Sequence, residues 1–207
     1  FLLRNARNFE IPAIFSDQIS PIKEICHSFD ISWLYLDGLE ACGSRNLAMQ
    51  QGKMAEYESR CDRYNQDVFS KIKEFFSKNS MPDFLILAGY MRIVGASLLK
   101  EFRDRIINVH PGDLSWRDRD GVRILRGSQA VLRALSCGVA QTFSSVHLVS
   151  KAIDSGEILV RSKPCQVDWN SQRGLRAEVM QGFGKPLEPE DLSESELLSH
   201  LQDLKTS

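Results

Sequence analysis

Asn108 and His110 stand two residues apart in the segment INVHPG. In an extended strand that spacing sends both side chains to one face, and Pro111 and Gly112 then stop the strand. A second polar group follows in HLVSKAIDSGE, with His147 on a strand and Asp154 and Gly156 in the loop after it. A carboxylate bonded to the His110 imidazole would raise its pKa and hold its tautomer. A cationic imidazole beside an asparagine amide can stabilise the oxyanion formed when an amine attacks a carbonyl. The same ring can carry protons between the amine and the leaving group. The chemistry implied is acyl transfer. Taken singly, these features also suit a capped strand end with a hydrogen-bonded core histidine, and an ordinary Asp-Ser-Gly turn.

The elements that must position these groups are legible around them. Phe84 to Ala88 is an unbroken apolar run, as expected of a parallel strand covered on both faces. A short helix leads from it to the strand ending at His110, and ligands of open α/β sheets bind beyond such strand ends. Upstream, Ile11 to Phe15 and Ile31 to Leu36 read as strands flanking a helix from Ser20 to Asp30. Asp37 to Glu58 has no clear periodicity and reads as a long loop. From Tyr57 to Lys78 apolar residues recur at helical spacing. Downstream come a charged loop (Asp113 to Arg123), a helix (Arg126 to Cys137), strands at Thr142 to Val149 and Glu157 to Ser162, and helices at Asn170 to Gln181 and Ser193 to Lys205. This alternation predicts one α/β domain over residues 1–207, with a three-layer, Rossmann-like, mostly parallel sheet and helices on both faces. Because FLLRNARNF reads as the later part of a helix, the usual first strand and turn are expected to be missing.

Composition narrows the classes. The chain has 207 residues and a formal net charge of -1, which argues against a broad nucleic-acid surface. No apolar run approaches membrane-spanning length and no signal peptide is visible. The five cysteines are scattered without a CxxC, which suits a reducing compartment better than disulfides or a metal site. Cytoplasm is the expected location.

LAGYMRIV, INVHPG and VHLVSKAIDSGEI together resemble the N-terminal catalytic domain shared by 10-formyltetrahydrofolate-dependent formyltransferases. The resemblance is strong from Asp83 to Pro164. It implies 10-formyltetrahydrofolate as formyl donor and a small primary amine as acceptor, glycinamide ribonucleotide of purine synthesis first. It also implies roles. Asn108 would bind the formyl oxygen, His110 would stabilise the tetrahedral intermediate, and Asp154 would pair with His110 and help move protons through water. Met91, Arg92, Ile93 and Val94 match the segment lining the pterin pocket. Lys151, Ala152 and Ile153 match the folate-binding loop, and a looser match puts Arg60 near the folate tail. An amino sugar is the nearest rival acceptor, and a non-catalytic folate- or nucleotide-binding module is the rival of another class. A homodimer stays open as an assembly.

Two departures bear on the acceptor. The family's phosphate-holding turn is expected to fall before the first residue of this sequence. The family's Ser-Leu-Leu-Pro after His-Pro is replaced by Gly112, Asp113, Leu114 and Ser115, and the following loop carries Arg117, Arg119, Asp120, Arg123 and Arg126. Those arginines suit an anionic substrate, although a solvated loop has the same composition.

Overall fold

The computed structural model of the chain, which describes residues 9–77 and 81–167, alternates strands with helices as the apolar periodicities require. Contacts divide these residues into two units. The first takes in the described part of Phe1–Asp83 together with Tyr90–Arg103. The second takes in Phe84–Gly89 and the described part of Asp104–Ser207. The helices expected at Asn170 to Gln181 and Ser193 to Lys205 lie outside the described residues.

In the first unit, β1 (Ala13–Ser16) and β2 (Ser32–Tyr35) pair in parallel across α1 (Ile22–Ser28). The stretch from Asp37 to Glu58 corrects the sequence reading, because it is helical rather than a loop. It holds α2 (Gly38–Cys42), α3 (Arg45–Gln50) and the start of α4 (Met54–Phe75). The first two helices are too short to display an amphipathic period, and their caps define them instead. The Asp37 carboxylate accepts from the Leu39 and Glu40 amides, and the Ser44 hydroxyl accepts from the Leu47 amide. Gly43, at φ 79°, makes the left-handed break between them. In α4, Tyr57, Cys61, Tyr64, Val68 and Ile72 form the buried stripe that the spacing predicts. The unit ends in α5 (Ala96–Glu101).

In the second unit, β3 (Leu85–Ala88), β4 (Ile106–His110), β6 (Ser145–Leu148) and β7 (Ile158–Arg161) form one sheet in that order. β5 (Gln141–Thr142) pairs with β8 (Cys165–Gln166). The α/β class is as expected, but this sheet is mixed. Only β3 and β4 run parallel in it, and the β4/β6 and β6/β7 pairs are antiparallel. The loop from β6 to β7 is too short for the crossover a parallel pair needs, which takes a dozen or more residues.

One face of this sheet carries Ile106, Asn108, His110, Ser145 and His147, as their pairing shows. Ile106, His110, Ser145 and His147 are buried, and α6 (Ala130–Ser136) adds a largely apolar buried surface to the unit. The opposite face holds Ile86, Val109 and Val160, all exposed. The expectation that the β3 run is covered on both faces is therefore corrected: Phe84 is 53% exposed and Ile86 47%. A continuous apolar run does not distinguish a strand covered twice from one covered once.

Candidate active site

Asn108 and His110 project from β4 as their spacing requires, and β6 adds a third group between them. The antiparallel register sets His147 opposite Asn108 and Ser145 opposite His110. Partners across a strand pair share a face, so His147 joins the two residues read from the sequence. Asp154 arrives from the loop after β6.

Two imidazoles share the Asp154 carboxylate. Oδ2 lies 3.4 Å from His110 Nδ1, and Oδ1 lies 3.4 Å from His147 Nε2. The Gly127 amide donates to Oδ2 at 2.7 Å, and Arg123 donates to the Asp154 backbone carbonyl at 2.6 Å. The residue sits at φ 50°, a left-handed conformation that a side chain other than glycine seldom adopts. Gly156 completes the loop. A Cβ there would collide with the Leu148 carbonyl, so no side chain fits.

The other bonds select tautomers. His110 Nε2 is 2.7 Å from the buried Leu125 carbonyl. Only a proton on Nε2 makes that contact favourable, so Nδ1, facing Asp154, is the nitrogen that gains and loses a proton. Gly112 permits the approach, since a Cβ at that position would stand 3.0 Å from both His110 Nε2 and the Leu125 carbonyl oxygen. His147 Nδ1 donates to the Leu148 carbonyl at 2.8 Å. In the neutral ring, Nε2 then accepts from Asn108 Nδ2 at 3.2 Å, and it can donate to Asp154 only once the ring is protonated on both nitrogens. This bond orients the amide and leaves its second N–H to donate elsewhere.

Electrostatics separate the acid from the base. Burial pulls the His110 pKa below the usual histidine value, and the Asp154 charge opposes it only in part. Burial pushes the Asp154 carboxyl up, but the His147 and His110 rings and the Gly127 amide outweigh it and hold it below the ordinary carboxylate range. At neutral pH the carboxylate is thus ionised and His110 is a neutral base. The sequence reading started from a cationic ring, but burial makes the neutral ring the resting state.

The remaining sequence-predicted residues fall in two places. Lys151, Ala152 and Ile153 precede Asp154 in its loop, with Lys151 exposed and Ile153 43% exposed. Arg60, Met91, Arg92, Ile93 and Val94 belong to the first unit. There the Arg92 guanidinium is committed to Asp17, 3.0 Å from Nε, and to the Gly43 carbonyl at 3.2 Å. Met91 is 60% exposed, and the Ile93 carbonyl accepts from Asn65. His147 as the central histidine, and Arg123 and Gly127 as anchors of Asp154, were not among the predicted site residues. Only the β4/β6 register reveals the first, and only the return of the charged loop reveals the others.

The formyl transferase family model matches residues 36–181. Phosphoribosylglycinamide formyltransferase of Mycobacterium tuberculosis is 33% identical over 98 residues, covering 47% of this chain and 42% of that protein. The Escherichia coli protein of the same name is 25% identical over 142 residues, covering 69% of this chain and 60% of its own length. The chain thus spans about half the length of these two relatives. In fold, it is similar to the phosphoribosylglycinamide formyltransferase of Streptococcus pneumoniae, with a TM-score of 0.57, 22% identity, and coverage of 87% of this chain and 84% of that one. The Bacillus halodurans enzyme gives a TM-score of 0.56 at 23% identity, covering 84% and 75%. The match runs through both motifs that build the network around Asp154, and the chain belongs to the formyl transferase family.

Proposed function

We propose that this chain transfers a formyl group from 10-formyltetrahydrofolate to a primary amine, with glycinamide ribonucleotide as the first acceptor to test. The observation that carries this reading is the convergence of an amide, two imidazoles and one carboxylate on a single sheet face. Formyl transfer needs a donor to a carbonyl oxygen and a base for an amine proton, and little else. The folate supplies a formyl group bonded to nitrogen. The free N–H of Asn108 donates to the formyl oxygen as negative charge builds on it. His110 takes the proton that the attacking amine sheds, at Nδ1, and Asp154 stabilises the resulting imidazolium. As the new carbon–nitrogen bond replaces the old one, that proton returns to the departing folate nitrogen, so none is gained or lost overall.

Donor binding falls to Arg60, Met91, Arg92, Ile93 and Val94 and to the Lys151–Ile153 segment. The Arg60 Nε and Tyr90 hydroxyl are buried and lack hydrogen-bond partners among the described residues, and a bound ligand could satisfy such groups. Since its guanidinium is engaged, Arg92 contributes its backbone to this site. The free cysteines support a cytoplasmic setting. Among the described residues no helix is long and apolar enough to cross a membrane. A homodimer is the assembly to test by sedimentation.

The deciding assay offers 10-formyltetrahydrofolate with glycinamide ribonucleotide and with amino sugars to the wild type and to His110→Ala. The wild type should form the formamide, and the variant should lose about 10²–10⁴-fold in kcat while still binding folate. Folate binding without turnover in either protein would favour the binding-module reading, and formylation of an amino sugar alone would change the acceptor.

A further inference from the structure

The arginines of the 113–126 loop are gathered rather than dispersed. Arg117 and Arg123 pair as an antiparallel bridge, which places their side chains on one face with Cβ atoms about 5 Å apart. The turn that closes this hairpin is built on Asp118, whose Oδ1 accepts from the Asp120 and Val122 amides. Of the loop's three carboxylates, Asp118 is thus engaged by backbone, Asp113 pairs with Arg161, and Asp120 is exposed. Arg123 donates to the Asp154 carbonyl, and Arg126 immediately precedes Gly127, whose amide holds the Asp154 carboxylate. Among the described residues, neither Arg117 nor Arg126 forms an ion pair with a carboxylate. Arg123 thus stands at the Asp154 backbone, and Arg117, whose Nη1 also donates to the Gly121 carbonyl, is its cross-strand partner. Their mutual field is felt at Arg123: burial lowers its pKa, Arg117 and Arg126 lower it further, and Asp154 opposes them. Arg117 is exposed and Arg126 half-buried, so a ligand can reach both.

We propose that Arg117, Arg123 and Arg126 form a subsite for a doubly charged oxyanion, a phosphate or paired carboxylates, carried by one of the two reactants. The inference rests on the formyl-transfer reading for the identity of those reactants, though not for the anion site itself. Guanidiniums are planar forks that match the oxygens of phosphate and carboxylate. Arg123 is held by its bond to the Asp154 carbonyl and would act with its position fixed, while Arg117 and Arg126 would add their guanidiniums to it. Holding the charged end of a reactant at these arginines would orient its reacting end toward the base.

The test uses the full chain and the variants Arg117→Gln and Arg126→Gln, singly and together, with Arg123 left in place because it anchors Asp154. Calorimetric titration with pyrophosphate at constant ionic strength should show saturable binding to the wild type, weakened at least tenfold in each single variant. Unchanged binding in both variants, or no saturable binding to the wild type, overturns the proposal. Formyl transfer then identifies the source of the anion. A raised KM for a phosphorylated amine, with kcat and folate KM held, assigns the subsite to the acceptor. A raised KM for a polyglutamylated folate, with a monoglutamate unaffected, assigns it to the donor. KM values unchanged for both reactants overturn the assignment to either. A protein that binds pyrophosphate through these arginines yet transfers no formyl group would sink the formyl-transfer reading and leave the anion site standing.

Discussion

At the scale of single residues, one carboxylate faces two rings. Removing its charge has a readable consequence, because Asp154 is what opposes the downward pull of burial on His110. In Asp154→Asn the His110 titration should move to still lower pH, as followed by NMR of its ring protons, and an unchanged or raised midpoint would contradict the geometry. The placement of Asn108 and His110 on one face was legible in the sequence, because a two-residue spacing in a strand needs no tertiary information, whereas the pairing of Asp154 rested on the resemblance. His147 was legible as a strand residue and as the start of the segment it shares with Asp154 and Gly156, but not as a partner of Asn108. Its function depends on which strand lies beside β4, and periodicity within a strand carries no information about its neighbour. The protonation state of His110 was equally hidden, since it is set by how deeply the ring is buried.

At the scale of elements, helix caps and close backbone approaches do the positioning. Asp37 is the sole side-chain cap of α2, and Asp37→Ala should cost about 1 kcal/mol in urea unfolding. The cap could have been read in advance, because Asp37 and Ser44 are good N-cap residues each followed by a short helical run. An aperiodic window of that length instead reads as a loop. The Asp154 loop is the more sensitive element. Gly156→Ala places a methyl group against the Leu148 carbonyl, so it should destabilise the protein by about 1–3 kcal/mol. It should also lower kcat by moving Asp154, and a variant with wild-type activity and stability would show that the approach is not limiting. Strand directions were the weaker part of the sequence reading. Alternation of strands and helices predicts parallel pairs, whereas β6 and β7 follow each other without an intervening helix.

For the molecule as a whole, the two lowered pKa values set a common direction with pH. His110 titrates below 6.5 and Asp154 below 3.8, the ordinary values for each group. Both folded values are depressed, so each group contributes stability that is present above its unfolded pKa and lost as pH falls through its folded one. Activity should follow the same course. The kcat/KM profile is expected to be level at neutral pH, to fall first as His110 takes up its proton, and to fall again as Asp154 does. A profile level throughout the acid range would remove both groups from the chemistry. The pairing of β4 with β6 bears on how the protein reaches this state at all. Sliding one strand by a single residue would turn His147 to the opposite side of the sheet and bring Val146 or Leu148 opposite Asn108. Such a misfolded chain would keep nearly every backbone bond yet bury an aliphatic group where the imidazole belongs. It could pass a secondary-structure measurement while being catalytically dead, so turnover per molecule, rather than helix or strand content, is the proper gauge of correct folding here.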